Sequence, residues 1–243
     1  ADAEKALKAA LTIGNKSEAR YLLGLTLLKL ARPVEAVGEF RESCELKEGF
    51  ALGHLHWGLA LAGMASWRGA LGQFKQAARL NPQLVVAYYQ GGVAAYKLGQ
   101  FDEAGEALKQ AVELDRTFCE AWIALAMTQT ALEQIDGALN SFEKAWQADS
   151  SSASIKRSWA ALLIHAGRFD EASKQFQESL NINTQLLDAR DRSLIYNDWG
   201  VSLYQQRRLE EAAEKLIQAV GVDPSLIEAR LNLGLVRTAM HEF

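Results

Sequence analysis

The sequence predicts an all-α protein, an α-α superhelix of antiparallel helix pairs packed side by side. Two observations carry this. Alanines recur at Ala36, Ala70, Ala104, Ala138 and Ala172, each 34 residues after the last, and then at Ala212, 40 residues on. A second ladder of small residues, Gly24, Gly58, Gly92, Ala126, Ala160, Gly200 and Gly234, keeps the same steps, with 40 between Ala160 and Gly200. Two independent ladders sharing one six-residue insertion fix the register, and an interval of this length is the period of a stacked helical-hairpin array.

Aligned on the ladders, the full units are 17–50, 51–84, 85–118, 119–152, 153–186 and 193–226, with an insert at 187–192. Residues 1–16 read as a half unit holding only a second helix, and 227–243 as one holding only a first helix. The third unit shows how each is built. Its first half places Ala87, Tyr88, Gly91, Gly92 and Ala95 at helical spacing, and its second half repeats the pattern with Ala104, Ala107, Leu108, Ala111 and Val112. Between them Gly99 suits a helix end, and Asp102 and Glu103 suit the positive start of the next helix. Pro33 suits a first helical position. The insert LDARDR carries no Gly or Pro and is expected to lengthen either the last helix of the fifth unit or the first of the sixth.

The pattern resembles the tetratricopeptide repeat family over essentially the whole chain. The family's preferred types recur in phase: an early aromatic in the first helix (Tyr88, Trp122, Tyr196), Phe40, Phe74, Phe142 and Phe176 in the second, and Pro82 and Pro224 at unit ends. The resemblance implies a single right-handed solenoid over 1–243. Small residues on the ladders let helix backbones approach closely while a neighbouring aromatic fills the remaining wedge, and stability comes from stacking each unit on the next. Because a repeat is cut at either side, the chain is expected to be a fragment of a longer protein, or its last helix to cap the array.

Composition narrows the partners. Of 243 residues, 49% are hydrophobic and 23% charged, enough to bury a continuous interior. A net charge of −4 argues against attraction to phosphate backbones, so no nucleic acid is expected. The basic cluster of Arg190, Arg192, Arg207 and Arg208 is interrupted by Asp188, Asp191, Glu210 and Glu211, as on a salt-bridged surface. No apolar run reaches the roughly 20 residues of a membrane helix, and no signal-like start is present, so no membrane insertion and a cytoplasmic location are expected. Cys44 and Cys119 are separated by rigid repeats, too far for a disulfide.

No catalytic, cofactor or metal site is read from the residues. IGNKS at 13–17 lacks the upstream glycine of a phosphate loop, and the sequon Asn15, Lys16, Ser17 stands without a secretion signal. His54 and His56 are two apart on a helix and point in different directions, unlike a metal pair. SFEK at 141–144 resembles an acyl-enzyme motif without its companions.

In the family the first helices line a concave groove. Carrying those positions over gives Tyr21, Leu25 and Leu28, then Leu55 and Leu59, Tyr89, Val93 and Tyr96, and Ile123 and Met127. Arg157, Asn197, Asp198, Tyr204 and Asn232 make a more polar end. Chaperone-tail adaptors of the family place paired Lys and Asn residues on this face, and no three consecutive units here supply them. The expected partner is therefore an apolar or amphipathic protein segment, helical or extended, anchored by aromatics and Met. The alternatives are self-association through the two ends, and service as the regulatory arm of a larger enzyme.

Overall fold

The computed structural model describes residue 9 and residues 16–182 and 187–241. Among the described residues there are thirteen helices and no strand. They are α1 (Lys16–Lys29), α2 (Pro33–Leu46), α3 (Ala51–Gly63), α4 (Trp67–Leu80), α5 (Val85–Lys97), α6 (Phe101–Leu114), α7 (Cys119–Ala131), α8 (Ile135–Ala148), α9 (Ala153–His165), α10 (Phe169–Asn181), α11 (Ala189–Gln205), α12 (Leu209–Val222) and α13 (Ile227–His241). Apart from Ala9 and Lys16, the expected half unit at 1–16 lies outside the described residues. The helices fall into two compact units, divided in the chain after Glu133.

In the first unit, α1 to α7, each helix packs on the one before it. The ladders are where the pairs close. A methyl group built on Gly24 would lie 2.7 Å from the Phe40 ring, on Gly58 2.6 Å from Phe74, and on Gly92 2.5 Å from Leu108. No real side chain tolerates such contacts unless something shifts, so glycine is what lets each pair approach this closely. Ala36, Ala70 and Ala104 are fully buried opposite them.

The second unit, α8 to α13, repeats the arrangement. A methyl group built on Gly200 would lie 2.6 Å from Leu216 Cγ, and Ala160, Ala172 and Ala212 are fully buried. A methyl group built on Gly234 of α13 would meet no other part of the described residues within 4 Å. The insert joins the first helix of its hairpin: α11 has 17 residues where α9 has 13, and residues 189–192 supply the extra turn. Asp188 caps that turn by accepting a hydrogen bond from the Asp191 amide at 2.7 Å.

The turns within hairpins form a third ladder. Ala31, Ala65, Gly99, Glu133, Gly167 and Arg207 all adopt positive φ, between 56° and 74°. The amide after each of five of them bonds back to a carbonyl in the preceding helix, as Gln100 to Ala95 at 2.9 Å and Arg208 to Leu203 at 3.0 Å, satisfying the helix-end carbonyls. Three of the turns between hairpins use a carboxylate. Asp115, Asp149 and Asp223 each accept bonds from the amide and hydroxyl of Thr117, Ser151 and Ser225, which hold the three carboxyls below the usual range.

Polar side chains also tie first helices to second helices. Ser17 and Ser43 each donate a buried hydrogen bond to the other's carbonyl, Ser179 donates to the Ala153 carbonyl, and Ser193 to that of Ala219. Arg20 pairs with Glu39 and Glu42, and His54 lies 2.8 Å from Gln73. At the equivalent place in the second unit, Lys156 is only 5% exposed. Its ammonium bonds to Gln175 at 2.9 Å and Glu178 at 2.6 Å, and lies over the rings of Trp146 and Trp159.

A candidate interaction site on the first helices

Side chains at i, i+4 and i+7 share a helix face. On α5 this brings Tyr89, Val93 and Tyr96 together, and on the neighbouring α7 it aligns Ile123 with Met127. These five line one cavity of about 290 Å³, completed by Lys97, Leu108, Glu120 and Ala124. The aromatic walls are braced from behind. The Tyr89 ring packs on Phe118 at 4.8 Å between centroids, and Tyr96 meets the edge of Phe101 at 5.3 Å. Burial and the Glu120 charge raise the Tyr89 pKa, so its phenol remains a hydrogen-bond donor at neutral pH. Met127 is the adaptable member, 47% exposed on an unbranched side chain.

The remaining predicted residues of the first unit turn inward to differing degrees. Leu55 is 5% exposed and belongs to the core cluster of Phe74, Ala87 and Ala104, so it presents no surface to a partner. Its position follows the periodicity of the lining residues, but the local packing of α3 against α4 and α5 absorbs it. Leu25, Leu28 and Leu59 are partly buried against core clusters. Tyr21 is held by Phe40, Phe50 and His56, with its hydroxyl 3.3 Å from His56 Nδ1.

In the second unit four of the five predicted residues form a hydrogen-bonded chain across α9, α11 and α13. Arg157 Nε donates to Asp198 Oδ2 at 2.6 Å, Asn197 Nδ2 to Asp198 Oδ1 at 3.2 Å, and Asn232 Nδ2 to Asn197 Oδ1 at 2.8 Å. Asn197, Asp198 and Asn232 line a cavity of about 590 Å³ with Ala161, Val201 and Glu228 among its other walls. Tyr204 packs instead against the cluster of Leu203 and Leu216. Sequence reasoning missed Lys97 and Glu120 at the apolar cavity, although each sits within three residues of a predicted position, and it missed Glu228 at the polar one.

The tetratricopeptide repeat profile matches residues 151–225, and a second profile of the same description matches 85–118. The helix pairs described above have that repeat's length and packing. Residues 85–118 and 151–225 are thus tetratricopeptide repeats. Solved structures of the repeat class share the chain's fold. MamA from residue 41 onward, of Desulfovibrio magneticus RS-1, is 18% identical with a TM-score of 0.67, over 72% of this chain and 98% of MamA. YrrB, a tetratricopeptide repeat protein with an unusual peptide-binding site, is 20% identical with a TM-score of 0.61, over 78% and 95% of the two chains. PilF of Pseudomonas aeruginosa is 17% identical with a TM-score of 0.65, over 88% and 95%. No curated protein sequence matches the chain.

His54 stacks on Trp57, and His56 Nδ1 lies 2.9 Å from the Leu52 carbonyl. Among the described residues no group of three His, Cys, Asp or Glu side chains could hold a metal ion, and no helix is long and apolar enough to cross a membrane. Neither Cys44 nor Cys119 is in a disulfide, and burial, with the Glu45 charge beside it, pushes the Cys44 thiol pKa up to about 11. Arg208 engages Glu211 in paired bonds of 2.7 and 2.6 Å, which pull the Glu211 carboxyl below its ordinary range.

Proposed function

We propose that the protein is a non-catalytic interaction scaffold that seats an apolar side chain of a partner protein segment between α5 and α7. The observation that carries this is the cavity uniting Tyr89, Val93, Tyr96, Ile123 and Met127. Its walls are aliphatic and aromatic apart from Lys97 and Glu120, so it gains by excluding water from an apolar anchor and can select direction through two opposite charges. A braced aromatic wall with one flexible thioether is how a binding surface combines fixed shape with tolerance for several ligands. The polar chain from Arg157 to Asn232 offers donors and acceptors suited to peptide main chain in the second unit.

Selection of displayed peptides on the full chain tests the reading. Enriched peptides should carry a leucine, methionine or phenylalanine anchor and lose at least about tenfold in affinity on Met127→Glu, which adds charge at an exposed position and leaves the core intact. Selected peptides that bind Met127→Glu as well as the parent would remove the cavity from the account.

One observation favours a second reading, self-assembly. On α13, Ile227, Leu231 and Leu235 form an exposed apolar stripe beside the uncovered Gly234. Light scattering over a concentration series decides it: a mass that rises with concentration and returns to that of a monomer on Leu231→Glu supports assembly, and a constant monomer mass excludes it.

A further inference from the structure

A second cavity of the first unit lies away from the α5–α7 site. It holds about 730 Å³ between α4 and α6, within the usual range of ligand pockets of roughly 300–1,000 Å³. Its floor is Phe74, Ala78, Ala87, Gly91 and Ala107. The repeat itself explains why the space is there. Phe40, Phe142 and Phe176 occupy one register position of the second helices, and the matching position of the following first helix is Trp57, Trp159 and Trp199. Phe74 is the fourth such phenylalanine, and Gly91 stands where its tryptophan would be. In the second unit Trp199 stacks on Phe176, with ring centroids 6.2 Å apart and planes at 21°. In the first unit Trp57 packs against the cluster containing Phe40. A methyl group built on Gly91 meets only Phe74 Cβ, at an ordinary 3.5 Å, so nothing else stands where a side chain would leave the helix.

We infer that this groove receives, from a partner protein segment, the tryptophan side chain that Gly91 omits. The walls indicate the neighbours of that tryptophan. Lys75 and Arg79 stand on the α4 side, and Asp102, Glu103 and Glu106 on the α6 side, with Lys75 ion-paired to Glu103. Asp102 and Glu106 against Arg79 leave the groove net negative, so the segment carries a basic residue beside its tryptophan. The indole face lies on the small side chains over Phe74, as Trp199 lies on Phe176, and the basic residue reaches Asp102 or Glu106.

The test uses the full chain, a dye-labelled peptide of glycines and serines with a central tryptophan flanked by lysines, and the same peptide with alanine for tryptophan. Fluorescence anisotropy should show the tryptophan peptide binding at least about tenfold more tightly than its alanine counterpart. Gly91→Trp should fold with a denaturation midpoint no lower than the parent and bind at least about tenfold more weakly, because the groove is then filled from within. Met127→Glu should leave this binding unchanged, which separates the groove from the α5–α7 site. Equal binding of the two peptides overturns the inference. So does a Gly91→Trp chain that unfolds, because the vacancy would then not be tryptophan-shaped, or one that still binds. N-acetyl-tryptophanamide binding as tightly as the peptide would make this a small-molecule site and would overturn it equally.

Discussion

Gly92→Ala adds one methyl group where α5 crosses α6. The new carbon would lie 2.5 Å from Leu108 Cγ, 3.0 Å from its Cδ2 and 3.2 Å from the Ala104 carbonyl oxygen. Leu108 Cγ sits next to the backbone and the carbonyl belongs to it, so relief requires the helices to separate. Overpacking of this kind costs about 1–3 kcal/mol. Replacing a helical glycine by alanine returns about 1 kcal/mol of propensity, leaving a net loss of up to about 2 kcal/mol. Gly24 and Gly58 are poorer probes, since they meet the far edges of phenylalanine rings, and Ala160 is fully buried in the hairpin that holds Phe176. Gly234→Ala is the internal control: the same ladder position, with nothing within 4 Å, should gain about 0.5–1 kcal/mol. Urea titration followed by circular dichroism reads both as midpoint shifts of opposite sign. In a Leu108→Ala background, already weakened by about 2–5 kcal/mol, Gly92→Ala should cease to cost anything. A Gly92→Ala midpoint at or above the parent's would refute the close-approach explanation of the ladder.

Other perturbations test other parts of the fold. Ala65→Gly and Arg207→Gly, at φ of 56° and 62°, should each raise stability by about 0.5–1 kcal/mol in thermal melts, since relief of left-handed strain exceeds glycine's added unfolded-state freedom. Lys156→Met keeps the side-chain length but removes the cation between Trp146 and Trp159; because Glu178 is 39% exposed and can rehydrate, the loss should be about 1–2 kcal/mol, read by denaturant titration. The carboxyls of Asp115, Asp149 and Asp223 have folded pKa values below their unfolded ones, so their contribution is fully present above about pH 4 and disappears as pH falls through the folded values. Acid titration of Ser225→Ala, which removes one bond to Asp223, should show a smaller stability loss across that interval than the parent.

The architecture was legible because close packing leaves a signature that only small residues can write: Gly24, Gly58, Gly92 and Gly200 announce the crossings without any knowledge of the neighbours. The turns were half legible. Gly99 and Gly167 declare a left-handed residue, whereas Ala31, Ala65, Glu133 and Arg207 adopt the same conformation with no glycine to mark it, forced there by the hairpin on either side. At the candidate site, periodicity identified which residues share a helix face but not their depth. Leu55 and Tyr89 hold equivalent positions, yet Leu55 is enclosed by its own unit and Tyr89 lines a cavity, a difference made by side chains on other helices. The hydrogen-bonded chain through Arg157, Asp198, Asn197 and Asn232 likewise depends on how three separate helices stack. The α4–α6 groove is marked in the sequence by Gly91, but that glycine stands out only against the tryptophans of its sister repeats.

The buried serine bonds bear on how a hairpin comes apart. Ser17 with Ser43, and Ser193 with the Ala219 carbonyl, fasten the opening turn of one helix to the closing turn of its mate, at the place where solvent would otherwise enter first. Water cannot replace those bonds one at a time while the serines remain enclosed, so unzipping from that end is resisted until the whole latch opens. Such hairpins are thus biased toward leaving the native state as units, which favours sharp transitions over gradual loosening.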